Sequence, residues 1–241
     1  MWVYAQEVCE NITNGYTPRA SELNVANGEI PFIKINNLTF NGELNFSKNP
    51  TFISKEIHES MLKRSKIYPG DILINIVGPP LGKISIVPSS FPEWNINQAI
   101  VFFRPIKGYN RDFLALCLQA NNIISYLTSQ AKATAGQFNI SVNMSRNLPI
   151  PLPPQAEQDK IVLEVKEHFE VIEGIKLSVS KSLAQADYLR NSILKTAFEG
   201  KLVFQNPDDE PAEKLLERIK AERFSNKSKS DGQLELSCYV K

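Results

Sequence analysis

Pro151-Leu152-Pro153-Pro154-Gln155-Ala156-Glu157-Gln158 is followed by 48 residues without proline. A proline ring removes a backbone donor and blocks a helix interior, so the cluster ends one element and the stretch beyond it permits another. Downstream, Val165, Ile172, Val179, Ala186 and Ile193 recur at seven-residue intervals, and Val162, Phe169 and Leu183 hold the complementary core position. Two apolar rows at this spacing form one coiled-coil seam. Lys176 and Arg190 interrupt the second row, which points to a partner surface that satisfies each charge or to side chains that snorkel out. The pattern predicts a helix from Gln155 to Phe198, about 65 Å long at about 1.5 Å per residue. Gly200 is a natural stop, a shorter helix is expected after Pro211, and the Lys-, Ser- and Asn-rich tail from Ser225 is expected to fray.

Upstream the grammar changes to short strands and turns. Residues 30–35, 71–77, 83–87 and 98–104 read as strands, the second so continuously apolar that it belongs inside a sheet. The turn Pro69-Gly70 precedes it, and Gly78-Pro79-Pro80-Leu81-Gly82 returns the chain into residues 83–87 as a hairpin with a rigid tip. One helix is predicted over 110–127, and another over 55–65. The fold class is therefore α+β, a globular domain followed by a long coiled-coil-forming helix. The layout is a domain over 1–154, the helix over 155–200, and a short helix with a flexible tail over 201–241.

The chain of 241 residues is 42% hydrophobic, enough for one sizeable core and an extended element. No stretch approaches eighteen apolar residues, and the first residues lack the basic flank and apolar block of an export signal. A cytoplasmic protein with no membrane partner is expected. Cys9, Cys117 and Cys238 are far apart and odd in number, which fits neither a disulfide framework nor a metal cluster. The net charge of +1 hides a split: residues 1–150 carry 13 Lys+Arg against 10 Asp+Glu, and residues 151–241 carry 14 against 16. Only the first part has the balance to face a polyanion.

The two histidines, His58 and His168, have no acidic pair or cysteine at ligand spacing, so metal-centred and triad chemistry find no support. Gly78 to Lys83 is not a phosphate loop, because two prolines remove the donors such a nest requires. Glu56, Glu59 and Lys63 sit at helical spacing, as a solvated face would. No catalytic cluster, metal site or cofactor turn emerges. What remains is polar: eighteen Asn lie in residues 1–147, and amides read adenine edges in a major groove. Where amides and cations meet turns, Arg19, Lys34, Lys83, Lys132 and Arg146 are candidates for phosphate contact. Asn36, Asn97, Gln98, Gln137 and Asn139 are candidates for base edges. Val165, Phe169, Ile172, Val179, Leu183 and Ile193 are the candidate dimerisation seam.

Several segments together carry a family resemblance. They are Gly15-Tyr16-Thr17-Pro18, Pro31-Phe32-Ile33, Gly70-Asp71-Ile72-Leu73, Gly82-Lys83, Asn97-Gln98, the stretch from Leu148 to Gln158, and the stretch from Ile193 to Leu202. The chain resembles one half of the specificity subunit of type I restriction-modification enzymes. A full subunit of that family has two target-recognition domains, each followed by a helix, with the two helices packed antiparallel as a spacer. The resemblance implies that residues 1–154 read one part of a split double-stranded DNA target, while methyltransferase and restriction subunits perform methylation and cleavage. It implies no enzyme activity and no cofactor for the chain itself. It also implies pairing through the long helix, either as a homodimer or with another half-subunit. The exposed helix face with Glu164, Lys166, Glu170 and Lys181, and the helix start at 155–158, are the expected docking places for methyltransferase subunits. A half-subunit, a fragment and a split gene all fit; the tail from Glu210 to Ile219 resembles the family's C-terminal end. Two other readings stand beside this one. The first is a coiled-coil adaptor or architectural protein without sequence-specific DNA binding; the second is the DNA-recognition part of a fused nuclease or methyltransferase.

Overall fold

The computed structural model describes the chain except residues 24–27, 79, 131, 135–136, 205 and 238–241; for residues 130–139 and 225–237 it describes the backbone alone. The elements, in order, are β1 (Trp2–Tyr4), β2 (Cys9–Asn14), β3 (Ile30–Ile33), β4 (Phe52–Ile53), α1 (Lys55–Glu59), β5 (Lys66–Ile67), β6 (Ile72–Asn75), β7 (Val77–Gly78), β8 (Ile84–Ile86), β9 (Trp94–Ile96), β10 (Ile100–Pro105), α2 (Arg111–Gln119), α3 (Asn121–Gln130), β11 (Lys132–Thr134), β12 (Gln137–Asn139), α4 (Val142–Arg146), β13 (Pro149–Pro151), α5 (Gln155–Phe198) and α6 (Ala212–Ser237). The result is an α+β globular domain followed by a long helix. Two compact units divide the chain, Met1–Glu170 and Val171–Lys241, so the first turns of α5 belong with the domain.

The centre of the domain is a four-stranded antiparallel sheet in the order β2-β10-β6-β8. Side chains alternate across a strand, and here both faces are buried. Ile72, Ile74, Val101 and Phe103 pack with Phe113, Leu114, Leu118, Ile123 and Leu127 of α2 and α3. Leu73, Ile100 and Phe102 point the other way, into a second cluster with Ile33, Ile67, Trp94 and Ile96. That cluster belongs to a second sheet, β4-β3-β9-β5, in which β3 and β9 run parallel. Phe46, Phe52, Phe91 and Trp94 close it with edge-to-face contacts, the arrangement that ring quadrupoles favour. β6 and β8 form the predicted hairpin, and α5 has the predicted bounds.

Three local expectations change. The single helix over 110–127 is two helices, because Ala120 is extended with ψ 136°. Continued in phase from Leu114 and Leu118, one helix would bury Asn121 or Asn122. The break re-phases the chain so that Ile123 and Leu127 reach the core instead. The helix over 55–65 is one short helix ending at Glu59 and a separate 3-10 turn at Lys63–Ser65. The helix after Pro211, expected to be short, runs past Ser225: α6 continues to Ser237. Among the described residues no helix is long and apolar enough to cross a membrane.

The Pro-rich segment is fixed to the domain. β13 pairs with β1, the Tyr109 hydroxyl donates to the Pro151 carbonyl at 2.8 Å, and the Gln158 amide donates to the Pro153 carbonyl at 2.9 Å. The Gln158 side-chain oxygen accepts from the Asn110 backbone at 2.8 Å, and Asn110 in turn caps α2. Gln158 and Val162 are buried, whereas α5 is exposed throughout residues 166–195. Past Phe198, Gly200 takes a positive φ of 68°, and the Lys201 N–H reaches back to the Thr196 carbonyl at 2.9 Å, which ends the helix.

Candidate nucleic-acid interface

The parallel pair β3/β9 brings several predicted contact residues to one place. Lys34 and Asn36 follow β3, and Asn97 and Gln98 follow β9; the Asn97 N–H donates to the Ile33 carbonyl at 3.0 Å. The chain from Gly15 to Thr17 folds onto this end. Gly15 donates to the Ile100 carbonyl, the Gln98 N–H reaches Thr17 Oγ1 at 3.4 Å, and Asn14 donates to the Gln98 carbonyl at 3.4 Å. A Cβ at Gly15 would lie 2.0 Å from the Ile96 oxygen and 2.3 Å from that of Asn97, so only glycine permits this approach. Arg19 stands two residues beyond Thr17, exposed. Asn36 and Gln98 are also exposed, whereas Asn97 is half-buried and its side-chain oxygen accepts from Ala99 at 3.3 Å.

A second group borders the first, because the Ile76 N–H donates to the Ala99 carbonyl. Buried Asn75 pins the hairpin tip: its amide donates to the carbonyls of Val77 and Pro80, at 3.1 and 2.8 Å, and its oxygen accepts from the Lys83 N–H at 2.8 Å. Lys83 Nζ lies 5.9 Å from the ring centre of exposed Phe40, a cation–π distance. β12 pairs with β7 beside this tip, which places Lys132, Gln137 and Asn139 on the β11/β12 hairpin; their side chains lie outside the described residues.

Arg146 stands elsewhere. Its Nε donates to the Ile12 carbonyl on edge strand β2, at 3.1 Å, whereas Lys83 leads into β8 at the opposite edge of the central sheet. Three inter-strand spacings, about 14 Å in all, separate those edges. Around Arg146 the fold builds a concave cationic surface that the sequence pattern did not reveal. Lys63, Arg64, Lys66, Arg104 and Arg146 line an open depression together with Asn11, Thr13 and Tyr68. The strand register explains it: Asn11 pairs with Arg104 and Thr13 with Phe102, so these polar side chains share one face of β2/β10. Two of the five cations are neutralised. Arg104 forks onto the buried Asp71 carboxylate at 2.9 and 2.7 Å, and Lys66 pairs with Glu59 at 2.6 Å. Asp71 is held in turn by the Tyr68 N–H at 2.8 Å. Lys63, Arg64 and Arg146 form no salt bridge among the described residues and stay exposed. They give the depression a net positive field.

Behind it, His58 meets an acidic group that no sequence spacing announced. His58 Nε2, Glu59 and Glu93 have ligand atoms within 4.8 Å of one another. Each is already engaged. Asn95 donates to His58 Nδ1 at 3.1 Å, which makes Nε2 the protonated nitrogen and a donor to Glu93 at 3.0 Å. The Asn95 orientation is fixed by Ser65 Oγ, 2.7 Å from its oxygen, and by the Leu62 carbonyl. Burial holds the His58 pKa below the ordinary 6.5 and outweighs the bond to Glu93 that would raise it. The group ties α1 to β9 and is no free ligand set.

Two of the positions expected to dock a partner subunit have partners of their own. Gln158 is consumed by the joint, and Lys166 pairs with Asp112 at 2.7 Å. Burial raises the Asp112 pKa, but Lys166 and Arg111 overcome this and hold it below the usual carboxylate value. Of the seam residues, Val165 is half-buried, and Phe169, Ile172, Val179, Leu183 and Ile193 are exposed. Cys9 and Cys117 are free thiols whose pKa burial pushes up to about 12, which favours the protonated thiol.

Known proteins share this architecture. The specificity subunit of the EcoBI type I restriction enzyme of Escherichia coli is 36% identical over 186 residues, which are 73% of this chain and 38% of that protein. A chain from a structure concerned with complex assembly and conformational transition of the type I R-M system superposes with a TM-score of 0.66 at 24% identity, over 84% of this chain and 46% of that one. The HsdS subunit from Thermoanaerobacter tengcongensis gives a TM-score of 0.58 at 22% identity, over 84% and 45%. At these identities the structural likeness is one of fold. This chain spans less than half the length of each of the three. Residues 3–179, well over half of the chain, match the type I restriction modification DNA specificity domain, and the chain belongs to that family.

Proposed function

We propose that the chain reads one part of a DNA target as a half of a type I specificity subunit, leaving methylation and cleavage to modification and restriction subunits. The observation that carries this reading is the cationic depression around Arg146, set beside strand-end loops rich in amides. Unpaired Lys63, Arg64 and Arg146 suit phosphate oxygens, which position a protein on a duplex without reading it. Asn36 and Gln98, with Arg19 and Lys34 near them, present polar groups at the end of β3/β9, where base edges could be read. Lys83, Lys132, Gln137 and Asn139 form the neighbouring group on the two hairpins. The domain then occupies 1–154, α5 acts as the spacer and pairing helix over 155–200, and the pairing partner is a second copy or another half-subunit.

The test is DNA binding by the complex assembled with its modification subunits, measured against salt. Lys63→Ala/Arg64→Ala/Arg146→Ala should weaken all sequences alike and flatten the slope of log K against log[salt] by about 0.9 per lost phosphate contact, some 2–3 in total. Gln98→Ala or Asn36→Ala should instead alter which sequence is preferred. An unchanged salt slope in the triple variant would remove the depression from the interface.

A further inference from the structure

Phe40 breaks the pattern of the domain. Every other phenylalanine of residues 1–154 whose side chain is described is buried or half-buried, whereas Phe40 is 58% exposed. A single apolar side chain in water needs no explanation by itself. This one is held there by a loop with little freedom to withdraw it, and a cation stands beside it. We propose that the Phe40 ring stacks on a nucleobase of the bound DNA, with Lys83 on a phosphate of the same strand. This rests on the reading that the domain binds DNA, and it gives that surface an aromatic contact outside both the cationic depression and the amide-bearing strand ends.

The loop is built onto the β8 edge of the central sheet. The Ile84 N–H donates to the Thr39 carbonyl and the Ile86 N–H to the Gly42 carbonyl, both at 2.9 Å. Between them, buried Ser85 accepts from the Thr39 N–H at 3.2 Å and donates its hydroxyl to the Glu43 carbonyl at 2.6 Å. Thr39 Oγ1 donates to that same carbonyl at 2.6 Å. Gly42 turns the chain with a φ of 89°, and Leu38 bridges to Leu44 at the loop's base. Phe40 and Asn41 lie between these anchors, both exposed. The backbone that carries the ring is thus fixed in advance, and little ordering is left for a partner to impose.

The surroundings select the partner. Lys83 Nζ lies 5.9 Å from the ring centre and forms no salt bridge among the described residues. The single acid of the loop, Glu43, is taken by the Asn41 amide at 3.3 Å. An apolar pocket on a protein would take the ring and exclude the ammonium. Nucleic acid takes both, because every base offers a π-face and every nucleotide a phosphate. Successive nucleotides of one strand are about 3.4 Å apart, so ring and ammonium serve positions within about two nucleotides of each other. Asn36, a candidate for base edges, precedes Phe40 by four residues, at most about 14 Å of chain or about four base steps. Both faces of a base inside a duplex are already covered, so the ring enters at a step that the complex partly opens, as apolar wedges do.

The test titrates the complex assembled with its modification subunits against a fluorescent duplex carrying the site it methylates, at several salt concentrations. Phe40→Ala should weaken binding about 10-fold or more and leave the slope of log K against log[salt] unchanged, because stacking releases no counterions. Lys83→Ala should instead flatten the slope by about 0.9. Phe40→Trp should bind within about 2-fold of the wild type, and its emission above the background of Trp2 and Trp94 should be quenched by the duplex. Phe40→Leu, apolar but without a π-face, should bind like the alanine variant. The ring is exposed, so none of these changes opens the core. Wild-type affinity in Phe40→Ala or Phe40→Leu, or unquenched emission in Phe40→Trp, would overturn the proposal. A slope that flattens with Phe40→Ala would do so too, leaving the ring a support for Lys83. A Phe40→Ala chain that no longer assembles with the modification subunits would place the ring on a protein and equally overturn it. Stacking tolerates any base, so the same comparison is read on a duplex without the site. A wild type with no preference for its site counts against the proposed function alone, and a preference that survives Phe40→Ala at full affinity counts against this inference alone.

Discussion

One helix, α5, lives in two environments, and its seam reads the same in both. At its start, Val162 is buried in the domain core and Gln158 in the joint; from Lys166 onward, Phe169, Ile172, Val179 and their neighbours are exposed. The heptad pattern states only that a stripe will be covered. The chain's own domain covers the first turns, and the rest of the stripe stands exposed.

The sharpest break of that comparison is to place the same charge at both ends of the seam. Val162→Glu should destabilise the domain by about 3–4 kcal/mol in urea unfolding, because an unpaired carboxylate enters the core. Ile172→Glu with Val179→Glu should leave domain stability within about 0.5 kcal/mol and abolish self-association in sedimentation. Equal losses of domain stability would erase the distinction. Next in size is Gln158→Ala, which strands the Asn110 N–H and the Pro153 carbonyl and should cost about 1–3 kcal/mol. The same change at exposed Gln185 should cost nothing measurable.

Acid should also act on the domain. His58 is buried and neutral in the folded domain, with its pKa depressed below 6.5. The unfolded chain therefore binds the proton first. The contribution of His58 is complete above about pH 6.5 and is lost as pH falls from there through the folded pKa. The melting temperature of the domain should drop over that window, and His58→Gln should blunt the drop. The smallest effect is a gain. Gly174 sits mid-helix, and a Cβ added there would meet nothing within 4 Å, so Gly174→Ala should stabilise α5 by about 1 kcal/mol, seen as increased helicity on heating.

Legibility follows the range of the cause. The ends of α5 could be read because a proline cluster and Gly200 act within a turn of the residues they stop. The hairpin of β6 and β8 was equally local. The break at Ala120 was missed because its cause is a core position beyond it, which a continuous apolar stripe conceals. The depression was missed for a stronger reason: Lys63, Arg64, Arg104 and Arg146 come from three distant segments, gathered by the pairing of β2 with β10, the Arg104 bond to the Lys66 carbonyl and the Arg146 bond to the Ile12 carbonyl. In sequence, Lys63 looked like part of a solvated helix face. A hint was present in the adjacent Lys63-Arg64, followed by Lys66, but nothing local ties that run to Arg146. His58 and Glu93 are likewise 35 residues apart and meet only through tertiary packing. The predicted contacts at Lys34, Asn36, Asn97 and Gln98 do converge, since each follows one strand of a parallel pair.

The joint has a consequence for proteases. A run of prolines between a domain and a helix has the composition of a linker, and linkers are where limited digestion usually cuts. Here the backbone from Pro149 to Pro151 is a paired strand, and the carbonyls at Pro151 and Pro153 are held by Tyr109 and Gln158. A protease must draw an extended stretch of chain into its cleft, and this segment cannot be lifted without dismantling the core beneath it. Digestion should therefore spare the composition-defined boundary and yield a fragment that keeps the first turns of α5, ending where the helix loses the domain's support.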